Sequence, residues 1–392
     1  MQTKFYKLEN RKRGFIMNKK PIRVLHVVGG MNNAGLEAFI MNIYRKIDRE
    51  KIQFDFAVLN KNETYYFEEI KSLGGKIYIQ DDPKVVGLKK FEQGLYKTIQ
   101  ENGPYECVHS HIYYFNGSIL KVAKKCNVRV RISHSHNTKD GKKDGLVRAI
   151  YRKYMQILIL KNATHTIGCS EKACQALHGD NSLNNGKSTV LPNAIDLQPY
   201  ANLSMDKNEN RKKAQLPLDI PLIGHIGRFV EQKNHKYLID IFEAFSKTNP
   251  SAKLVLVGDG PLKSNIQKIV DDKKLSDKVL FLGIRKDIPS ILGSLDLFVF
   301  PSLFEGLPVT LVEAQASGIN CLISDTIPSE VDLNIGLVNE LSINEYVEKW
   351  AEKMNELIKK DRCKYEQIEL KIVERGYEIN SLIEKIKKLY IN

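Results

Sequence analysis

Cysteine is sparse: Cys107, Cys126, Cys169, Cys174, Cys321 and Cys363 are all that 392 residues hold. Their spacing pairs none of them as metal ligands, and so few exclude a disulfide scaffold. A reducing cytosol is the expected compartment. Long apolar runs are missing too, since no stretch approaches the roughly 18–20 residues that span a bilayer. The N-terminal "MQTKFYKLENRKRGFIMNKK" is basic but lacks the apolar core of a secretory signal. Met17 precedes the first strand-like run and is a candidate start. Residues 1–16 would then be a translation artefact, and omitting them lowers the net charge from +14 to +10. Internal repeats and low-complexity tracts are absent as well. Acidic charge is scarce only in the first half. Residues 1–200 carry 33 Lys and Arg against 18 Asp and Glu, whereas residues 201–392 carry 27 against 28.

Hydrophobic residues make up 42% and charged residues 27%, which excludes a largely disordered chain. The length predicts two domains. Short β-rich apolar runs alternate with segments of helical period. Strands are expected at 23–28, 54–59, 76–80, 106–111, 128–133 and 164–169. The pattern restarts at 221–226, 253–258, 279–283, 296–300 and 320–324. Continuous apolar strands between helices imply parallel sheets covered on both faces. Two such series predict an α/β protein of two doubly wound, Rossmann-like domains, 17–198 and 199–375. The polar, charged, Pro-flanked stretch 197–221 reads as a linker or surface excursion.

Five segments can carry chemistry. "GGMNNAGLE" (29–37) joins a strand to a helix, where backbone amides approach a phosphate or sugar. It does not match G-x-G-x-x-G, and a tight connection is the bland alternative. His109-Ser110-His111 and His134-Ser135-His136-Asn137 each end an expected strand. Neutral imidazoles there can bind a metal, act as acid or base, or hydrogen-bond a sugar. A metal needs further ligands, and His165 and His225 are the nearest candidates. "GRFVEQKNH" (227–235) places Arg228 and Lys233 at a strand-to-helix connection, where two cations can meet a diphosphate. "VGDGPL" (257–262) supplies a Gly turn, with Gly258 shaping a pocket wall. "PSLFEGLPVTLVEAQASG" (301–318) is the sharpest. Pro308 fits the first turn of a helix. Glu305 then lies in the loop before it and Glu313 along it, two carboxylates suited to sugar and ribose hydroxyls. The Gly306 and Leu307 amides face a phosphate or sugar.

In this order and spacing, "GRFVEQKN", "VGDGPL", "FLG" and "PSLFEGLPVTLVEAQASG", with "LPNAIDL" (191–197), resemble the family 4 retaining glycosyltransferases of GT-B fold. "VLHVVGGMN" and "SHSHNT" look most like bacterial capsule and exopolysaccharide members. The resemblance implies an acceptor-binding first domain, a nucleotide-sugar-binding second domain and a C-terminal helix (376–392) crossing back to the first. It implies that Arg228 and Lys233 neutralise the leaving diphosphate, Glu305 holds the donor sugar and Glu313 the ribose. Gly35 would offer its amide near the β-phosphate, and His111 would lie near the reacting carbon. His134, His136 and Asn137 would line the acceptor side. Ala34-Gly35, Asn193-Ala194 and Asn320 depart from the family's pattern without removing a charged candidate.

No Asp-x-Asp element is present to hold a divalent ion, so no metal or other cofactor is expected. The implied reaction is metal-independent transfer from a nucleotide-sugar, a UDP-hexose or UDP-N-acetylhexosamine, with retention of configuration. The acceptor would be a lipid-linked glycan or oligosaccharide. Two rivals share these residues: a nucleotide-sugar epimerase or hydrolase, and a membrane-surface binding protein with a vestigial site. Nucleic acid as a partner lacks a recognition motif or an interleaved aromatic-basic stripe. The segment 139–163 gathers Lys142, Lys143, Arg148, Arg152 and Lys153 before the apolar run Met155 to Leu160. That composition suits a helix lying on an anionic bilayer. A peripheral enzyme on the inner face of the cell membrane is the resulting expectation, with an ordinary buried helix as the alternative.

Overall fold

The computed structural model describes residues 20–391 apart from 33–34, 63, 139–144, 185 and 187. The candidate start at Met17 with residues 1–16, Ala34 of the first loop, and Lys142 and Lys143 of the basic segment lie outside the described residues.

Two parallel sheets organise the chain. The first contains β1 (Ile22–Val28), β2 (Ile52–Val58), β3 (Ile77–Ile79), β4 (Cys107–Ser110), β5 (Val130–Ser135), β6 (His165–Gly168) and β7 (Ser188–Val190). The second contains β8 (Leu222–Ile226), β9 (Lys253–Val257), β10 (Val279–Gly283), β11 (Leu297–Phe300), β12 (Cys321–Ser324) and β13 (Val338–Leu341). The strand orders are β3-β2-β1-β4-β5-β6-β7 and β10-β9-β8-β11-β12-β13. Both follow the doubly wound 3-2-1-4-5-6 order, whose direction reverses beside the first strand of each domain. The expected fold is therefore present twice, and each reversal opens a crevice at the strands' carboxyl ends.

Burial on both faces explains why the strands were legible. Val24, Leu25, Val27 and Val28 of β1 have no exposed surface, and neither do Phe298, Val299 and Phe300 of β11. The short edge strands β7 and β13 escaped notice, because "STV" and "VNEL" alternate or lack apolar residues. β5 runs two residues beyond its expected end, so His134 lies within the strand and His136 just after it.

One face of the first sheet is covered by the helix Gly35–Lys46 through Phe39, Ile40, Ile43 and Tyr44. The same face receives Leu382, Ile383, Ile386 and Tyr390 of the final helix, Ile379–Ile391. Their i, i+4 spacing forms one apolar stripe. The chain returns to this position through Ile195, whose amide donates to the Tyr377 carbonyl at 2.8 Å and whose carbonyl accepts from Ile379 at 3.1 Å.

The stretch 197–221 is not a free linker. It forms the helices Gln198–Ala201 and Lys207–Ala214, the second capped by the Asp206 carboxylate accepting from the Asn208 amide. Its charges looked solvated but are used in packing. Arg211 is buried, with Nη2 2.7 Å from Asp296 and Nε donating to the Ser294 carbonyl at 3.0 Å. Lys207 also pairs with Asp296, and Ala214 and Leu216 join the second domain's core. Removing one partner of a buried pair costs about 3–5 kcal/mol. Arg211→Ala is expected to lower unfolding free energy by roughly 3 kcal/mol, because Lys207 still faces Asp296. Urea denaturation followed by circular dichroism measures it.

Candidate active site

The carboxyl ends of the two sheets face each other across a cavity of about 1290 Å³. The first domain lines it with Gly35, His136 and Asn137. The second lines it with Arg228, Lys233, Gly258, Glu305, Gly306, Leu307, Pro308 and Glu313. The walls touch where Gly306 meets His136. A Cβ on Gly306 would sit 2.2 Å from the His136 carbonyl oxygen, so only glycine permits the observed approach. Beside it, Asn193 Nδ2 donates to the Leu307 carbonyl at 3.2 Å.

Charged groups on the second wall are held in pairs. Lys233 Nζ lies 2.7 Å from Glu305 Oε1, with only 14% and 7% of the two side chains exposed. The ammonium also stands 4.4 Å from the centre of the Phe300 ring. Gln232 Nε2 donates to Glu305 Oε2 at 3.2 Å and to the Phe304 carbonyl at 2.9 Å. Arg228 is exposed in the loop following β8. The helix Val309–Ala316 starts one residue after Pro308, which caps it from outside. Glu313 is on that helix, and burial pushes its carboxyl up to about 7, opposed by a hydrogen bond with Tyr200. Gly258 has φ +135°, and a Cβ there would lie 2.1 Å from the Gly227 carbonyl oxygen. It lets two strand-end loops touch. Gly35 begins its helix with open space around its Cα, so its place on the cavity wall does not require glycine.

Several cavity residues went unnoticed in the sequence. Arg285 and Lys286 lie two and three residues after β10, the same strand-end logic that singled out Arg228, and were legible on that ground. Arg45, Tyr66 and Glu69 gave no such signal, because helix periodicity marked Arg45 only as surface. Arg45 grips Glu69 through two bonds of 2.6 and 2.9 Å.

The histidines are arranged differently from the expectation. His111 and His134 do not line the cavity; His136 does. In the β4–β5 register His109 pairs with Ile132 and Ser110 with Ser133, which sets His111 level with His134, one step below His136. His111 stands behind His136, with Nδ1 2.9 Å from His136 Nε2. The further partner is His26 of β1, hidden in the apolar run "RVLHVV", with Nδ1 3.0 Å from His111 Nε2. His165 and His225 take no part in this cluster.

Single nitrogens of His26, His109 and His111, and of His111, His134 and His136, lie within 4.8 Å of one another. Two imidazoles sharing an ion at about 2.0–2.1 Å in tetrahedral geometry put their ring centres about 5 Å apart. In each triplet two of the three ring pairs meet that spacing, at 5.2 and 5.3 Å for His26 with His109 and His111 and at 5.4 and 5.1 Å for His111 with His134 and His136, while the tilted pairs His109–His111 at 4.2 Å and His134–His136 at 4.0 Å are closer. Several of the same nitrogens lie 2.9–3.1 Å from one another, within ring-to-ring hydrogen-bond distance.

The family models for "Glycosyltransferase Family 4" and "Glycosyl transferases group 1" match residues 33–199 and 206–378. EpsF of Bacillus subtilis is 38% identical over 378 residues, 95% of this chain and 97% of that one. The chain belongs to glycosyltransferase family 4. CapH of Staphylococcus aureus, named as a capsular polysaccharide biosynthesis glycosyltransferase, is 25% identical over 95% of this chain and 99% of its own. An Escherichia coli UDP-Gal:alpha-D-GlcNAc-diphosphoundecaprenol alpha-1,3-galactosyltransferase is 28% identical over 76% of this chain and 78% of its own. Anabaena HepE, solved with UDP and glucose, superposes with a TM-score of 0.72 at 16% identity, covering 94% of this chain and 98% of HepE. That likeness establishes the GT-B fold. The protein is a glycosyltransferase of polysaccharide biosynthesis.

The Glu313 carboxyl gives this family member a measurable signature. A carboxyl whose pKa is raised by folding adds stability below its unfolded pKa and loses that contribution as pH rises through about 7. Glu313→Gln is therefore expected to match the parent's thermal stability at pH 5 and to exceed it at pH 8. Melting curves at the two pH values test this.

Proposed function

We propose that this protein transfers a hexose or N-acetylhexosamine from a UDP-sugar to a lipid-linked glycan in capsular or exopolysaccharide biosynthesis, with retention of configuration and without a metal. The observation that carries the reading is the cavity itself. It gathers Arg228 and Lys233 with Glu305 and Glu313 on one wall, opposite His136 and Asn137 on the other.

Cleaving the anomeric C–O bond leaves negative charge on the departing diphosphate. Fixed cations aimed at that charge stabilise the transition state more than the ground state. Arg228 and Lys233 supply them, with Gly35 and Gly306–Leu307 offering backbone amides. Glu305 neutralises Lys233 in the structure. On binding, diphosphate oxygens take over the ammonium, which releases Glu305 to accept from sugar hydroxyls. Glu313 accepts from the ribose. The acceptor enters from the first domain past His136 and Asn137, on the face from which the diphosphate leaves. The role near the reacting carbon assigned in sequence to His111 passes to His136, since His111 stands behind it. The names of the E. coli relative and of HepE, which specify UDP-Gal, diphosphoundecaprenol and UDP, support the donor and acceptor classes.

The helix Leu146–Asn162 favours a membrane setting. Met155 and Ile159 face inward, while Val147 is 82% exposed, Ile150 62%, and Tyr154 and Ile157 52% each. Apolar residues turned to solvent alongside Arg148, Arg152 and Lys153 form a face that an anionic bilayer can cover. Among the described residues no helix is long and apolar enough to cross a membrane, so this face would rest on the surface.

Lys233→Ala and Glu305→Ala are each expected to lower transfer about a hundredfold or more while the fold persists. Radiolabel transfer from UDP-sugars to diphosphate-linked lipid acceptors measures the loss. Release of free sugar, or a new epimer, with no acceptor-linked product would favour the hydrolase or epimerase reading. Separately, the chain should float with vesicles rich in anionic lipid at low salt. Val147→Glu with Ile150→Glu should abolish flotation, and no parent binding would remove the membrane part alone.

A further inference from the structure

Three consecutive side chains, Gln232, Lys233 and Asn234, all bond to the loop that carries Glu305. Gln232 Nε2 donates to the Phe304 carbonyl at 2.9 Å and to Glu305 Oε2 at 3.2 Å. Lys233 Nζ donates to Glu305 Oε1 at 2.7 Å, and Asn234 Nδ2 to the Pro301 carbonyl at 3.2 Å. The Gln232 backbone adds to these, its carbonyl accepting from the Leu303 amide at 2.8 Å. Neighbouring side chains in a strand would point to opposite faces. Here a short 3₁₀ turn, Glu231–Lys233, and Asn234 at φ +54° bring all three to one loop before the helix His235–Thr248 begins. Asn adopts that left-handed conformation more readily than most residues.

The chemistry of its neighbours fixes which way the Gln232 amide points. A carboxylate and a carbonyl both accept, and only the NH2 end of the amide supplies two donors. Each oxygen of Glu305 therefore has its own donor, a cation on Oε1 and a neutral amide on Oε2. A ligand acts differently on the two. Diphosphate oxygens draw an ammonium strongly, so the Oε1 contact is the one that substrate takes apart. The amide carries no charge to be drawn, and its other N–H is tied to the backbone of the residue before Glu305. A neutral donor also leaves the carboxylate's charge available to sugar hydroxyls, where a second cation would compete for it.

We propose that Gln232 is a positioning residue, which keeps Glu305 Oε2 fixed when the diphosphate takes Lys233 and so leaves Oε1 facing the donor sugar. The proposal rests on the transferase reading of the cavity and deepens it. Gln232 acts through Glu305 and needs no contact of its own with the reacting atoms.

Two variants and one spectrum test this. Gln232→Met keeps the length of the side chain and deletes the donor, while the backbone carbonyl at 232 and Asn234 still hold the loop. It should lower kcat/KM for the donor about tenfold and leave UDP affinity, measured by calorimetry, unchanged. Parental transfer, or UDP binding that weakens along with transfer, would overturn the proposal. Gln232→Glu adds a pH signature. Two carboxyls this close hold a shared proton to higher pH than a lone one, and that proton replaces the missing donor. Transfer relative to the parent should be highest near about pH 5.5 and fall towards about pH 8; a ratio that ignores pH would also overturn the proposal. Nitrogen-15 spectra of glutamine-labelled protein identify the Gln232 amide as the signal pair missing from either variant. Both protons should exchange slowly with solvent and remain slow after UDP is added, and fast exchange in the UDP complex would contradict the hold on Glu305. This last readout needs no turnover, so a parent that transfers no sugar sinks the transferase reading alone.

Discussion

Everything at the cavity depends on how closely two backbones meet at Gly306. Two doubly wound sheets each present loops at their carboxyl edges, and function requires those edges to face each other at substrate distance. With no side chain at Gly306, the loop before Pro308 lies directly on the His136 carbonyl. The contact brings the glutamate wall to the histidine wall. It is backed by apolar packing, since Cys169, Ala173 and Leu197 share a core with Leu307 and Leu311. The apposition therefore has both a steric gate and a hydrophobic reason to persist.

Electrostatics in the cavity is balanced rather than simply basic. Lys233 with Glu305, Arg45 with Glu69, and Arg285 with Asp287 at 2.7 Å are all internal pairs. A diphosphate must compete with carboxylates already in place, which favours ligands that also offer those carboxylates hydroxyl groups. A sugar nucleotide does both. The positive excess of the first half has to be sought elsewhere, and Arg148, Arg152 and Lys153 on Leu146–Asn162 carry part of it.

Much of this was legible in the sequence, for identifiable reasons. Strands buried on both faces announce themselves as unbroken apolar runs, and a Gly-Leu-Pro string before a helix marks a strand-end loop. Legibility failed where a residue's neighbours came from distant segments. Arg211 read as solvated because its partner Asp296 is 85 positions away. His26 read as one polar interruption in a strand, since its meaning depends on His111, likewise 85 positions away. The exchange of His111 for His136 at the cavity follows from β5 extending further than its pattern suggested. A two-residue change in a strand end moves a side chain along the sheet by more than its own length.

The bond between Tyr390 and His109 spans 281 positions of sequence. Ribosomes add about 5–20 residues per second. Roughly a quarter of a minute to a minute therefore separates the emergence of the first sheet from that of the helix that covers one of its faces. During that interval Phe54, Phe56 and the neighbouring imidazoles have the helices Gly35–Lys46 and Phe67–Ser72 beside them but lack the last helix. Nascent chains stalled before residue 379 would display this surface to chaperones, and release of the last helix would withdraw it.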